Sequence, residues 1–245
     1  MTIFILNSPE KLPPTQKLWI DEPYQTECEA TVLHTQDDLL VTDRTIFYAE
    51  SGGQVPDKGF IDDVAIIDVQ KQPGKPIYIN RPDVEVPMVQ IDTVVVHKLD
   101  SPSPFIVGQK VHMKIDWDYR YKLMRYHSAT HFVLHALEEI YGHQEKLYIK
   151  GCYIYEQSAR LDYANKLNPE LIPKVSTLAN NLIAQGDEIL MESDPSTKDI
   201  SYWRYGDIII PCGGTHVSSA KEVGAVSLKR KSHGKNLDRI YISLC

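Results

Sequence analysis

The sequence predicts an α+β protein in which a small antiparallel β-barrel precedes a two-layer domain of long helices and antiparallel sheet. Three observations support this fold class. Up to Trp117, short runs rich in β-branched residues alternate with turn clusters, and no helical period is seen. From Tyr119 to Tyr141, apolar residues recur at helical spacing, and a second helical segment follows Asn168. Further strand-like runs lie around and after these helices, which is typical of a layered α+β domain.

The barrel strands are predicted from short apolar runs that end at polar or turn-forming residues. The polar pair Gln36-Asp37 joins the first two runs, and Gln70–Pro76 forms a later turn with two prolines and a glycine. In the last run, apolar side chains alternate along one face from Val111 to Trp117. The predicted strands are Ala30–Thr35, Asp38–Asp43, Phe60–Val69, Gln90–Leu99 and Val111–Trp117.

The change from strand to helix fixes the expected domain boundary near Asp118, so that residues 1–118 form one domain and 119–245 the other. Asp116 or Asp118 is suited to cap the first long helix, and Gly142 is suited to follow its end. The second helix is expected to start at Asn168-Pro169, with Asn as the N-cap. The accompanying strands are predicted at Lys146–Tyr155, Ala159–Tyr163, Asp187–Glu192, Gly206–Pro211, Val223–Lys229 and Asp238–Leu244.

Composition indicates a protein of the reducing cytoplasm. The four cysteines are scattered, which does not suit a disulfide scaffold. No apolar run approaches the roughly 18–20 residues of a membrane span, and the first residues lack the features of a signal peptide. The net charge of −7 means that binding to nucleic acid would require a local basic patch.

Two short motifs together predict a metal site. His127 and His131 in HSATH are four residues apart, so a helix would place both imidazoles on one face. Cys212 and His216 in PCGGTH bracket a Gly-Gly turn that lets the thiolate and the imidazole converge. Three histidines and one cysteine suit tetrahedral Zn²⁺. The alternative is a buried cysteine beside a structural turn.

These two motifs resemble those of the editing domain of alanyl-tRNA synthetase and of its free-standing relatives, the AlaX proteins. A third segment, FYAESGGQVPDKG at Phe47–Gly59, resembles the glycine-rich motif of the accessory barrel in that family. The passage VGQKVHMKIDWDYRYKLMRYH also resembles the family's transition from barrel to helix, and the match extends from about Thr26 to Ser243. The threonyl-tRNA synthetase editing domain shares the metal motifs, but the GGQ-bearing barrel favours the alanine branch.

The resemblance implies a zinc-dependent deacylase that removes serine from mischarged tRNA(Ala), with glycine as an open second substrate. One zinc per chain would be held by His127, His131, Cys212 and His216, and the partner would be the acceptor end of tRNA(Ala). The ion could activate water or could orient the substrate, and we favour orientation. Saturation by four protein ligands would require displacement of one ligand or an expanded coordination shell.

Other residues are expected to complete the site. Gln54 and Thr130 are candidate catalytic groups because an amide or hydroxyl can hydrogen-bond to water or substrate. The candidate substrate-binding residues are Gly52, Gly53, Cys152, Thr215, Lys229, Arg230 and Lys231.

The last three of these residues belong to the basic segment LKRKSHGK at Leu228–Lys235, which is expected to be a turn that contacts phosphate. The sequence departs from many relatives at Ile149, where a glutamine is common, and at Cys152, where a serine is usual.

Three alternatives to this deacylase are retained. The first is a tRNA-binding module of the same fold without catalysis, which Ile149 would favour. The second is editing of seryl-tRNA(Thr). The third is a structural zinc domain that binds a protein partner, which accounts less well for the basic segment and the GGQ motif.

Overall fold

A computed structural model describes residues 4–7, 12–81, 88–143, 146–234 and 237–245. It is an α+β structure with a closed antiparallel barrel, as the sequence predicts. The elements of the first part are β1 (Gln16–Lys17), α1 (Leu18–Asp21), β2 (Glu27–Gln36), β3 (Leu39–Thr42), β4 (Arg44–Thr45), β5 (Gly59–Ile61), β6 (Val64–Lys71), β7 (Lys75–Ile77), β8 (Val89–Ile91), β9 (Val95–Leu99) and β10 (Lys110–Ile115).

The barrel closes in the order β10-β2-β3-β9-β6-β5. Its interior is filled by buried side chains that alternate along the strands. In β10, for example, Val111, Met113 and Ile115 are buried, and His112 and Lys114 between them are exposed. This alternation is what the sequence pattern predicts.

Three strand predictions in the barrel region are wrong in their bounds. Phe60–Val69 is two strands, because Asp62 adopts a left-handed conformation (φ 47°) and turns the chain between β5 and β6. Gln90–Leu99 is likewise divided into β8 and β9 after Asp92 (φ 56°). Trp117 begins the first long helix instead of ending a strand.

The second part contains α2 to α4 and the remaining strands. They are α2 (Trp117–Tyr141), β11 (Ile149–Tyr155), β12 (Ser158–Tyr163), α3 (Ile172–Gln185), β13 (Leu190–Asp194), β14 (Thr197–Tyr205), β15 (Ile208–Pro211), α4 (Ala220–Val223), β16 (Val226–Ser232) and β17 (Asp238–Leu244). The Asp116 carboxylate caps α2 by accepting a hydrogen bond from Tyr119 N (3.0 Å). Gly142 follows the end of α2, as expected, and it does so in a right-handed conformation (φ −59°).

Strands β11-β12-β17-β16 form one antiparallel sheet and β13-β14-β15 form another. Helices α2 and α3 pack together beside the larger sheet over one apolar core. The sequence pattern missed β14, whose Ile200–Trp203 segment is buried on both faces and therefore lacks alternation. None of the described helices is long and apolar enough to cross a bilayer.

A buried ion pair joins the barrel to α2. The Arg120 guanidinium donates to the Asp57 carboxylate, with Nε 2.8 Å from Oδ1, and both side chains are fully buried. Arg120 also donates to the carbonyl of Ile46 (2.7 Å), while Asp57 accepts from Tyr48 N (2.5 Å). Fully satisfied in this way, the pair fixes the barrel against the helix that carries HSATH.

Candidate metal centre

The four predicted ligands meet in the structure. Their ligand atoms lie within 4.8 Å of one another, and the three imidazoles are buried. Helix α2 supplies His127 and His131 one turn apart, and the turn after β15 supplies Cys212 and His216. Cys212 Sγ lies 3.3 Å from His127 Nε2 and 3.2 Å from His216 Nε2.

Two of the imidazoles are oriented by hydrogen bonds at their outer nitrogens. His127 Nδ1 lies 2.7 Å from Gln54 Oε1, an acceptor, so this nitrogen carries the proton and Nε2 offers its lone pair to the centre. His216 Nδ1 lies 3.1 Å from Ser128 Oγ, which leaves His216 Nε2 directed at Cys212. This arrangement is the one in which metal-ligating histidines are normally held.

The third imidazole, that of His131, shows whether the site suits a metal ion. Both ring nitrogens of His131 are buried and lack a hydrogen-bond partner among the described residues. The ring is stacked on Trp203 at 5.1 Å and on His127 at 5.0 Å. A buried polar nitrogen without a partner is costly, and a bound metal ion would satisfy it.

The electrostatics favour the same conclusion. Burial lowers the pKa of His131 to about 3 and holds those of His127 and His216 well below the usual value, so all three rings are neutral ligands at pH 7. Burial raises the pKa of the Cys212 thiol to about 12, so its thiolate form requires a nearby cation. Neutral imidazoles and one thiolate are the ligand types that Zn²⁺ accepts.

The GGQ segment of the barrel reaches the metal centre through Gln54, which bonds to His127. Gly52 (φ 58°) and Gly53 (φ 89°) form a tight turn closed by hydrogen bonds between Ser51 and Gln54. A Cβ on Gly53 would lie 2.0 Å from the carbonyl oxygen of Cys152, so only glycine lets the turn approach β11. Ile154 N donates to Gly53 O at 2.8 Å, which joins the barrel loop to the edge of the sheet.

Gln54 occupies a buried position between the ligand motifs. Its side chain is fully buried, and besides accepting from His127 it donates from Nε2 to Thr215 Oγ1 (2.9 Å). It does not line the cleft beside the metal centre, and neither does Thr215, which is also fully buried. In the structure Gln54 therefore contacts the ligand His127, and Thr215 contacts Gln54.

A cleft of about 700 Å³ opens between the barrel and the second part of the chain, and three of the four ligands, His127, His131 and Cys212, lie in its wall. Thr130 lines it, but its hydroxyl donates to the carbonyl of Tyr126 (2.7 Å) within the helix. Cys152 also lines it, and burial raises the pKa of this thiol to about 11, so it is uncharged at pH 7. Gly52, predicted to bind substrate, and Ile149, noted as a departure from many relatives, also line the cleft.

The basic segment lies elsewhere, and the expectation of a turn is wrong. Lys229, Arg230 and Lys231 belong to β16, at the opposite edge of the sheet from β11, because the strand continues beyond its apolar residues to Ser232. Lys229 and Lys231 are exposed, whereas Arg230 is ion-paired with the buried Asp238 (Nη2 to Oδ2, 2.6 Å). Lys235 lies outside the described residues.

Ser128 and Trp203 are site residues that the sequence did not identify. Ser128 sits between the two histidines of HSATH, and its polarity inside an otherwise apolar helix face was the available signal. Trp203 could not be assigned to the site from the sequence, because the strand that carries it, β14, was not predicted.

Comparison with known proteins agrees with these features. Residues 18–119 match the family described as "tRNA synthetases class II (A)", and residues 196–241 match the "Threonyl and Alanyl tRNA synthetase second additional domain". The chain is 34% identical to alanyl-tRNA editing protein AlaX-M of Pyrococcus horikoshii over 92% of its length and 96% of that protein.

Alanine–tRNA ligases are also similar. The ligase of Pyrococcus abyssi is 30% identical over 89% of this chain, and that of Sulfurisphaera tokodaii is 30% identical over 91%. The chain spans about a quarter of each ligase, 24% and 25% respectively.

Proposed function

The chain belongs to the family of alanyl-tRNA editing proteins, and on that premise we propose that it hydrolyses seryl-tRNA(Ala) at a zinc centre. Membership of the family makes it an aminoacyl-tRNA deacylase, a hydrolase of alanyl-tRNA editing. The observation that carries this proposal is the convergence of His127, His131, Cys212 and His216 at the wall of an open cleft, which the first three of them line.

In this proposal the four residues hold one Zn²⁺, which supplies Lewis acidity toward the ester or the amino-acid side chain. Gln54 keeps the proton on His127 Nδ1 and Ser128 does the same for His216, so both rings present Nε2 inward. Thr130 and Cys152 line the space beside the ligands and limit the size of the amino acid that enters. The ester is already activated, so orientation of the substrate and placement of water are sufficient roles for this chain's residues.

Serine differs from alanine by one hydroxyl group. A site that hydrogen-bonds this hydroxyl leaves a buried polar group unpaired when alanine enters, and that difference can produce strong rejection. Correctly charged alanyl-tRNA(Ala) would then be spared. Glycyl-tRNA(Ala) is the second substrate that this scheme leaves to be measured.

The tRNA would contact the protein at charges outside the cleft as well. Lys229 and Lys231 are exposed on β16 and are suited to phosphate contacts, whereas Arg230 already has a carboxylate partner. Their replacement by alanine is expected to weaken tRNA binding in a salt-dependent manner without affecting metal content.

A binding module without catalysis is the second candidate, and Ile149 is the observation that favours it. This side chain is 46% exposed at the cleft, and it places an apolar group where many relatives have glutamine. The module would bind the acceptor end of tRNA and leave the ester intact.

A deacylation assay on seryl-tRNA(Ala) and alanyl-tRNA(Ala) separates these candidates. The wild-type protein is expected to hydrolyse the seryl ester and spare the alanyl ester, and Cys212→Ala to lose activity on the order of a hundredfold or more. Cys245→Ala is the matched control, because this cysteine is exposed and distant in sequence from the ligand motifs. Binding of tRNA with neither ester cleaved would reject the deacylase and support the binding module.

A further inference from the structure

The cleft contains a lysine side chain, Lys71, for which the described residues provide no ion-pair partner. Lys71 ends β6 and lines the cleft with its side chain half-buried. Its ammonium lies 5.8 Å from the ring centroids of both Trp19 and Tyr48. Among the residues that the structure describes, it forms no ion pair or hydrogen bond.

The other lysine of the cleft shows the contrast. Lys17 is ion-paired with Asp199, and the two side chains are only 6% and 17% exposed. Burial, with a smaller contribution from the like charge of Lys17, lowers the pKa of Lys71 to about 8, so this group is still mostly charged at pH 7. The Asp199 carboxylate acts in the opposite direction on the pKa of Lys71, but the net shift is still downward, so it compensates this charge only in part. A partly desolvated and partly compensated cation is a feature expected where a ligand supplies the opposite charge.

The substrate of the proposed reaction brings such a charge into the cleft. The scissile ester lies on the terminal ribose, and the phosphodiester on the 5′ side of that nucleoside is the anion nearest to it. Lys71 and the ligand Cys212 line the same cleft and are close enough for each charge to affect the pKa of the other. A ligand that reaches the metal centre can therefore meet Lys71 as well.

We propose that Lys71 binds the phosphodiester next to the terminal nucleoside and so positions the aminoacyl ester at the metal centre. The assignment rests on the proposed function, and it identifies a positioning residue contributed by the barrel. It also gives the barrel a direct part in substrate binding, because Lys71 lies on β6 while the ligands lie on α2 and after β15.

The test compares two substrates that differ in this phosphodiester. One is the seryl ester of adenosine, and the other is the seryl ester of the dinucleotide CpA. Lys71→Met is expected to lower kcat/KM for seryl-CpA by about tenfold to a hundredfold, as for loss of a hydrogen bond to a charged group, and to leave seryl-adenosine nearly unchanged. Lys71→Arg should restore most of the loss.

Lys58→Met is the matched control, because Lys58 also lies over an aromatic ring, that of Tyr119 at 4.3 Å, but is exposed and outside the cleft. It should leave the ratio of the two substrates unchanged. An equal loss on both substrates with Lys71→Met would overturn the assignment, because Lys71 would then act on the ester or on the fold.

A binding measurement does not depend on hydrolysis. Wild-type protein should bind uncharged CpA more tightly than adenosine, and Lys71→Met should abolish that difference. If the wild type cleaves neither ester but retains this difference, the proposed function fails while the Lys71 site stands. If Lys71→Met binds CpA as tightly as the wild type, the Lys71 site is rejected whatever the esterase result.

Discussion

At the scale of single residues, the metal centre depends on groups that hold the ligands as much as on the ligands. The ligand motifs HSATH and CGGTH were predictable because each is local: one needs only a helix and the other only a turn. The contact between Gln54 and His127 was not predictable, because it joins residues 73 positions apart, one in the GGQ turn and the other on α2. The spacing of apolar residues along the sequence carries no information about such tertiary hydrogen bonds.

Replacement of Gln54 by leucine should weaken metal binding. The change leaves His127 Nδ1 without its acceptor and frees the ring to rotate, and we expect a 10- to 100-fold loss of zinc affinity, a range typical of such outer partners. Competition with a chromophoric chelator would measure it. Gln16→Leu is the control, because Gln16 is exposed on β1, and an equal loss in both variants would refute the role given to Gln54.

The two glycines of CGGTH should respond differently to substitution. A Cβ on Gly214 would lie 2.1 Å from His127 Cε1, whereas a Cβ on Gly213 would meet no atom within 4 Å. Gly214→Ala must therefore displace His127, and it should lose most of its zinc and its deacylase activity, while Gly213→Ala keeps both. Metal content of the two purified proteins checks this, and similar zinc content in both would contradict the close packing.

At the scale of elements, the predictions succeeded where side chains alternate or repeat and failed where the backbone turns or is buried on both faces. The alternation of apolar and polar residues in β10 and the helical spacing of apolar residues in α2 were sufficient to predict these two elements. The hairpin between β5 and β6 was missed because two aspartates in a hydrophobic run gave a weaker turn signal than glycine or proline would. The strand β14 was missed because burial on both faces removes its period.

The ion pair between Asp57 and Arg120 should be the strongest single link between the barrel and α2. Asp57→Ala leaves a fully buried guanidinium uncompensated, and we expect the free energy of unfolding to fall by about 3–5 kcal/mol. Glu156→Ala breaks the exposed pair with Lys122 on the same helix, in which the side chains are 35% and 50% exposed, and should cost less than about 1 kcal/mol. Urea denaturation gives both values, and equal losses would show that burial of the Asp57 pair is unimportant.

At the scale of the whole molecule, the site is a product of the junction between the two parts. The barrel provides Gln54 and the GGQ turn, α2 provides two ligands, and the turn after β15 provides the other two. The sequence predicted the parts and their order. It could not predict that the barrel reaches the ligands, because no local pattern in either part specifies how the two parts pack.

The histidines predict how the metal-free protein responds to acid. Burial lowers the pKa of His97 to about 4 and that of His131 to about 3, and it lowers those of His127 and His216 as well. Below the ordinary histidine pKa of about 6.5, the unfolded chain therefore binds protons that the folded chain does not, and stability falls as pH falls. Each group contributes at most about 1.4 kcal/mol per pH unit.

Urea denaturation of metal-free protein between pH 7.5 and pH 5 measures this slope. This range lies above the ordinary pKa of the carboxylates, so the histidines dominate it. His97→Gln should make the slope shallower by about one proton, since His97 is not among the metal ligands. Stability that is constant from pH 6.5 to pH 5 would contradict neutral burial of these rings.

A zinc titration of metal-depleted protein, with hydrolysis of seryl-tRNA(Ala) followed at each step, tests most directly whether the metal centre is needed for the reaction. We expect the depleted protein to be inactive and activity to return in proportion to zinc, with its maximum at one ion per chain held by the four ligand residues. Full activity in protein shown to contain no metal would contradict the role proposed for this centre.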